Sequence, residues 1–211
     1  VAHALRAYQV PLAGRTARGA SLPSVLPVDA GSSITSVLPI KEFSSDEYVV
    51  LTTERGWIKK TPLDAFESMT SRGLIIASLE PGDSLRWAAR CRDTDDVILG
   101  SRAGMATRYS AAKLRPTGRT SRGVRCMKLR PGDGIVGMSV LPEKAEGFIL
   151  SITRDGYGKR VREEEFRSQG RGGVGVIAIK FKPAASGSDG DELRCMNLVT
   201  SDDEVLVVTE T

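Results

Sequence analysis

Tyr48-Val-Val-Leu-Thr-Thr-Glu-Arg-Gly56 is an apolar, β-branched run that ends in a turn. The chain writes the same phrase twice more, as Asp96-Val-Ile-Leu-Gly-Ser-Arg-Ala-Gly104 and Gly147-Phe-Ile-Leu-Ser-Ile-Thr-Arg-Asp-Gly156. The turn glycines stand 48 and 52 residues apart. A second marker follows each turn: Arg72-Gly73, Arg122-Gly123 and Arg171-Gly172, with an earlier copy at Arg18-Gly19. These glycines are spaced by 54, 50 and 49 residues. A third marker, Pro81-Gly82-Asp83 and Pro131-Gly132-Asp133, recurs after 50. Three markers in one order at one period describe repeated units rather than a doubly wound domain.

Within a unit the reading is four short strands. Val97-Ile98-Leu99 enters a hairpin turn at Ser101–Gly104 and Met105–Tyr109 runs back. Gly123–Leu129 alternates at period 2, Pro131–Gly134 turns again, and Ile135–Val140 leaves. Helical periodicity is confined to single turns near 63–68 and 162–166. The fold class expected is all-β, a propeller-like array of four-stranded antiparallel blades. The copies run approximately over 1–40, 41–91, 92–142 and 143–200, with 201–211 opening a further blade. Both ends fall within a repeat, so the chain reads as part of a longer array. Pro183–Asp191 reads as a small-residue surface loop inserted in the fourth copy.

Composition narrows the chemistry. The 211 residues are 40% hydrophobic, 27% charged and 5% aromatic, and no run approaches a membrane span. One histidine, His3, leaves nothing for a histidine metal cluster or a Ser-His-Asp triad. Cys91, Cys126 and Cys195 form no CxxC and read as three reduced thiols. No GxxxxGK[ST] phosphate loop occurs. Glu163, Glu164 and Glu165 are adjacent and cannot all face one substrate, and Asp83 and Asp133 read as turn caps. No cofactor is expected in this chain.

The net charge of +4 hides an asymmetry. Residues 182–211 hold two basic and seven acidic side chains, −5, which leaves +9 on residues 1–181. Counting four residues on from each turn glycine gives Lys60, Arg108 and Arg160, and the residue 13 before Gly19 is Arg6, as Lys60 is 13 before Gly73. Lys59 and Lys159 precede two of these, and the Arg-Gly element adds Arg15, Arg18, Arg72, Arg119, Arg122, Arg167 and Arg171. Basic residues at fixed points of blades set around an axis would form a charged rim. Such a rim neutralises phosphates and releases counterions, binding duplex DNA through its backbone. The shortage of aromatic platforms argues against single strands. Lys and Arg on exposed strands also discourage edge pairing without any ligand.

Several stretches resemble the C-terminal domains of DNA gyrase A subunits. They are Arg15-Thr-Ala-Arg-Gly19, Arg55-Gly-Trp-Ile-Lys-Lys-Thr61, Arg115-Pro-Thr-Gly-Arg-Thr-Ser-Arg-Gly-Val124, Asp155-Gly-Tyr-Gly-Lys-Arg160 and Gln169-Gly-Arg-Gly-Gly-Val-Gly175. The resemblance implies a β-pinwheel, a six-bladed array whose neighbouring blades exchange strands, with about four blades here. It implies a non-catalytic module that wraps duplex DNA on a positive perimeter in support of ATP-dependent negative supercoiling. The implied partners are duplex DNA, the rest of the gyrase A subunit, plus the ATPase B subunit, in an A2B2 complex. ATP and Mg2+ would act in other domains, and the implied location is the bacterial cytoplasm, or a plastid or mitochondrion. The family's box, Gln-Arg-Arg-Gly-Gly-Lys-Gly, is absent from these residues. Gln169–Gly175 is similar to it, with Gly170 and Val174 in place of its first Arg and its Lys, and reads as the equivalent loop of a later blade. Arg108-Tyr109 looks like the Arg-Tyr of a type IIA topoisomerase active site, but its hairpin position points to packing. The alternatives are the corresponding domain of topoisomerase IV and a protein-interaction propeller.

Overall fold

The computed structural model describes all residues except 29–32, 71, 182–189 and 208–211. Its strands are β1 Tyr48–Thr53, β2 Trp57–Pro62, β3 Leu85–Cys91, β4 Asp96–Ser101, β5 Met105–Ser110 and β6 Val124–Arg125. They continue with β7 Ile135–Leu141, β8 Phe148–Thr153, β9 Gly158–Arg162, β10 Val176–Ile177 and β11 Leu193–Val199. Each repeated phrase forms the β1–β2, β4–β5 or β8–β9 hairpin, with its glycine in the turn. The helical turns expected near 63–68 and 162–166 are 3-10 turns at Leu63–Phe66 and Glu163–Glu165, and a third lies at Ala111–Lys113.

Among the described residues the strands form three antiparallel sheets, ordered β3-β1-β2-β6, β10-β5-β4-β7 and β11-β8-β9. A sheet is therefore not a repeat. β6 lies between β5 and β7 in the chain, yet pairs with β2 of the preceding hairpin, Ile58 opposite Val124. β10 likewise leaves its own repeat to pair with β5, Ala106 opposite Val176. The long strand read over Gly123–Leu129 is thus only two residues of ladder, given to the neighbouring sheet. Among the described residues the first copy makes one β-bridge, Ala2 opposite Leu74, and Thr35 and Ser36 donate side-chain hydrogen bonds to the Leu85 and Ala88 carbonyls of β3. The other described residues of 1–47 form two single 3-10 turns and irregular chain. Of the inserted stretch 183–191, all but the last two residues lie outside the described residues.

Both faces of β1 and β4 are buried, which is why these two read as continuous apolar runs rather than as alternation, whereas β8 alternates buried Ile149, Ser151 and Thr153 with partly exposed Phe148, Leu150 and Ile152. Val97 and Leu99 pack with Val50, Ile58, Tyr109, Cys126 and Met127 between the first two sheets. Ile98 points the other way, into Ile149, Phe166, Leu193 and Met196. Val49 and Leu51 cover a third cluster with Leu63 and Phe66, over which Leu38, Ile40 and Phe43 lie. The strands β3, β7 and β11 approach one another on one side. There the Leu198 amide donates to Ser139 Oγ at 3.1 Å, and Gly137 admits the Met196 backbone. The opposite sheet edges, β6 and β10, form the outer side.

The recurring aspartates close the turns. Asp83 Oδ1 accepts from the Arg55 and Ser84 amides at 3.0 and 2.8 Å. Asp133 accepts from Ala103 and Gly134 at the same distances, and Asp191 repeats the pattern on Asp155 and Glu192. Asp191 is the third copy of the Pro-Gly-Asp marker. Its Pro is missing, and it lies 58 residues after Asp133 instead of 50.

The exchanged strands depend on the glycines before them. Gly123 (φ +97°) and Gly175 (φ +85°) occupy the left-handed region, and a Cβ at either would overlap the carbonyl of Ile58 or Ala106. Gly123→Ala should therefore lower stability by about 1–3 kcal/mol. Gly118→Ala, where a Cβ meets nothing within 4 Å, should be close to neutral. Urea denaturation of both variants checks this.

Candidate nucleic-acid interface

The structure divides the expected rim residues into two groups. Lys59, Lys60 and Arg108 are not on the rim. Lys59 is 3% exposed and Lys60 1%. Lys59 Nζ donates to the carbonyls of Ile76, Gly118, Arg119 and Ser121 at 3.0, 2.8, 2.5 and 3.2 Å. Three N–H donors share four acceptors, and the loop 118–121 closes around the charge. Burial pushes the ammonium down to about 8, while the carbonyls hold the charged form.

Lys60 and Arg108 do the same job in successive sheets. Lys60 Nζ lies 4.3 Å from the Tyr48 ring centroid, pairs with Asp93 and donates to the Ala111 carbonyl at 2.8 Å. Arg108 pairs with Asp96 at 2.7 Å and with Glu163, and donates to the Glu163 carbonyl at 2.8 Å. Ala111 and Glu163 each open the 3-10 turn of the following repeat. These cations pin each hairpin to the next repeat. Counting from the turn glycine finds the right position, but burial and a local carboxylate make it an internal staple. Arg160 holds the same register and is exposed, 5.0 Å from the Phe148 ring.

Arg6 is exposed, but its equivalence to Lys60 does not hold. Strand register aligns Ala2 with Ile58 and Ala106, since each pairs with the residue after the loop glycine. The position shared by Lys60 and Arg108 then falls on Ala4, and exposed Arg6 lies two residues beyond it. Counting from a glycine across an irregular segment cannot see this. By the same register, the partner of Gly123 is Gly175 rather than Gly172, and Arg171 corresponds to Arg119.

The remaining candidates are at the surface. Arg15, Arg18, Arg72, Arg122, Lys159, Arg167 and Arg171 are exposed, and Arg119 is half-buried with Nη1 donating to the Ala65 carbonyl at 2.6 Å. The outer loops join in a row. The Lys128 amide donates to Gly173 O and the Gly172 amide to Cys126 O, at 2.8 and 3.1 Å, and Ser78 N meets Ser121 O at 3.4 Å. Arg115, Arg125, Lys128 and Arg162 are exposed along the same edge, and counting from the markers does not find them. Arg125 closes β6 and Lys128 lies beyond it, and both come into view once this segment is assigned to the outer edge.

Tyr109 is fully buried between the first two sheets, and burial pushes its phenol well above 10. It packs, as its hairpin position implies, and cannot meet a phosphodiester. Glu163 is the exception in the acidic turn, since it faces Arg108 while Glu164 and Glu165 are exposed.

With this geometry in place, comparison with known proteins decides the family. The model of the DNA gyrase C-terminal domain, beta-propeller, matches residues 47–92, 95–142 and 147–184. The chain belongs to this family. The DNA gyrase A subunit of Synechocystis is 38% identical over 99% of this chain, which spans 27% of that relative's length. Among solved structures, the C-terminal domain of DNA topoisomerase IV has a TM-score of 0.77 at 22% identity, covering 86% of this chain and 55% of that one. A DNA gyrase A C-terminal domain follows at 0.53 and 18%, covering 86% and 75%. At these identities the structures speak for the fold. The matched segments each begin at a repeated hairpin, so the family signal and the repeat period coincide.

Two outcomes are expected. Lys59→Met leaves four carbonyls without their donor and should cost about 1–3 kcal/mol in thermal or urea unfolding. Cys91 and Cys126 are buried and their thiols pushed up to about 12, so native protein at pH 8 should give at most the Cys195 equivalent in a thiol-labelling assay. All three should label in denaturant.

Proposed function

We propose that this gyrase-family chain binds duplex DNA along the outer edge of its sheets and wraps it as a non-catalytic module. The carrying observation is the row of hydrogen-bonded outer loops from which Arg115, Arg122, Arg125, Lys128, Arg167 and Arg171 project. Their counterparts closer to the core are buried against Asp93, Asp96 and Glu163, whereas Arg115, Lys128, Arg167 and Arg171 are exposed on the outer edge. Guanidinium groups on a rigid, stepped edge suit phosphates better than base edges, because successive sheets repeat their spacing while DNA sequence does not. A track that turns from blade to blade would bend the duplex with it.

The chain spans about a quarter of its Synechocystis relative. In a complete protein it would act beside the remainder of the gyrase A subunit, with the ATPase B subunit, in an A2B2 complex. Strand cleavage by a tyrosine, and the use of ATP and Mg2+, would belong to those other parts. The location proposed is the bacterial cytoplasm, at the nucleoid, or an organelle of bacterial descent. No helix among the described residues is long and apolar enough to cross a membrane.

The test is topological. The chain is bound to nicked circular DNA, the nick is sealed, and the linking number is read after protein removal. A positive shift that grows with protein concentration is expected. No binding at low salt overturns the proposal. The salt slope then assigns residues. Alanine at Arg122, Arg160 and Arg171 should lower its magnitude by about 0.9 for each phosphate no longer neutralised. Lys60→Met and Arg108→Met should lower stability and leave the slope unchanged.

A further inference from the structure

Trp57 opens β2 at the outer edge and is half-buried there. Two arginines from the next repeat lie over its ring, Arg125 at 4.1 Å from the centroid and Arg122 at 5.3 Å. A single carboxylate holds this stack. Glu80 accepts from Arg122 Nη1 at 3.0 Å, lies 3.7 Å from Arg125 Nη2, and accepts from the Trp57 indole N–H at 3.2 Å. Both arginines remain about half exposed, at 47% and 51%, and the carboxylate itself is 28% exposed. Arg125 is also anchored by its Nη1 to the Arg55 carbonyl at 2.8 Å.

An oxyanion bound by two guanidinium groups and an indole N–H is the chemistry of a phosphate site. We infer that Glu80 occupies a phosphate-binding site of the rim, and that duplex DNA binds there by displacing it. The inference rests on the DNA reading above. The repeat supplies its own comparison, because the residue before Pro-Gly-Asp is Glu80 in one copy and Arg130 in the next. One step of the track thus carries a built-in competitor where the following step carries another cation. Its effect is to weaken binding at that step and to make the contact exchangeable, with the arginines held in place by Trp57 while they change partner. Glu80 directly precedes the Pro81-Gly82-Asp83 turn, whose Asp83 is tied to the Arg55 amide. The carboxylate can therefore leave by side-chain rotation while its backbone stays fixed.

Duplex affinity is measured by fluorescence anisotropy over a salt series for wild type, Glu80→Gln and Glu42→Gln. Glu42 is exposed and pairs with neither arginine, so its variant controls for the change in net charge. Glu80→Gln should bind about three- to tenfold more tightly than Glu42→Gln at low salt, the gain shrinking as salt rises. The gain should vanish when Arg122 and Arg125 are both alanine, which isolates the coupling. In a Trp87→Phe background, saturating DNA should shift the emission of Trp57 as the carboxylate leaves its N–H. Equal affinities for the two glutamine variants, or a Trp57 emission unmoved by saturating DNA, overturn the Glu80 assignment and leave DNA binding standing. Wild type that fails to bind at low salt overturns both.

Discussion

Each of the first two sheets of this protein is completed by a strand from the next repeat, and the rest of the structure depends on that exchange. Without β6 the outer edge of β2 would present bare N–H and C=O groups, and β10 does the same service for β5. Two ladder residues suffice because the close approach of the loop glycine sets their register. The crossing segment then plugs the core behind it: Cys126 and Met127 pack between the first two sheets, immediately after β6. Covalent neighbours are thus also structural neighbours one sheet back. Stability in such an array passes from unit to unit rather than residing in one central core.

The exchange explains where the charges ended up. A loop that crosses between sheets must bring its carbonyls past the strand it joins, and those carbonyls need donors. Lys59 satisfies four at once, while Lys60 and Arg108 each meet a carbonyl and a carboxylate as well. A buried cation with such partners is costly to disturb and lies out of a ligand's reach. Cations on the solvent side of the same loops stay exposed even where they are paired, as Arg122 and Arg125 are with Glu80. The inner set builds the edge, and the outer set is available to act on what approaches it.

Much of the design is legible in order. The three hairpins, the turn-capping role of Asp83 and Asp133, and the packing role of Tyr109 follow from period and position. Three features escape such a reading: the ownership of the second strand in each unit, the register of the first copy, and the third aspartate cap at Asp191. The first escapes because two residues after a glycine pair equally well with either neighbour on paper. The second escapes because irregular chain lies between Ala2 and the first hairpin, so counting loses the phase that the Ala2–Leu74 bridge restores. The third escapes because eight extra residues shift Asp191 out of the period.

The sequence by itself determined the repeat, its antiparallel hairpins and the presence of a phased set of basic residues, since these follow from local φ/ψ preference and from apolar runs of strand length. Only the tertiary structure decided which of those cations face water. Lys59 and Lys159 occupy the same step after a turn glycine, yet one is enclosed by carbonyls and the other is exposed. Their side chains and spacing are identical, and Lys59 is enclosed because a loop from the following repeat closes over it. That contact is made between residues about 60 apart in the chain, beyond the reach of any local pattern.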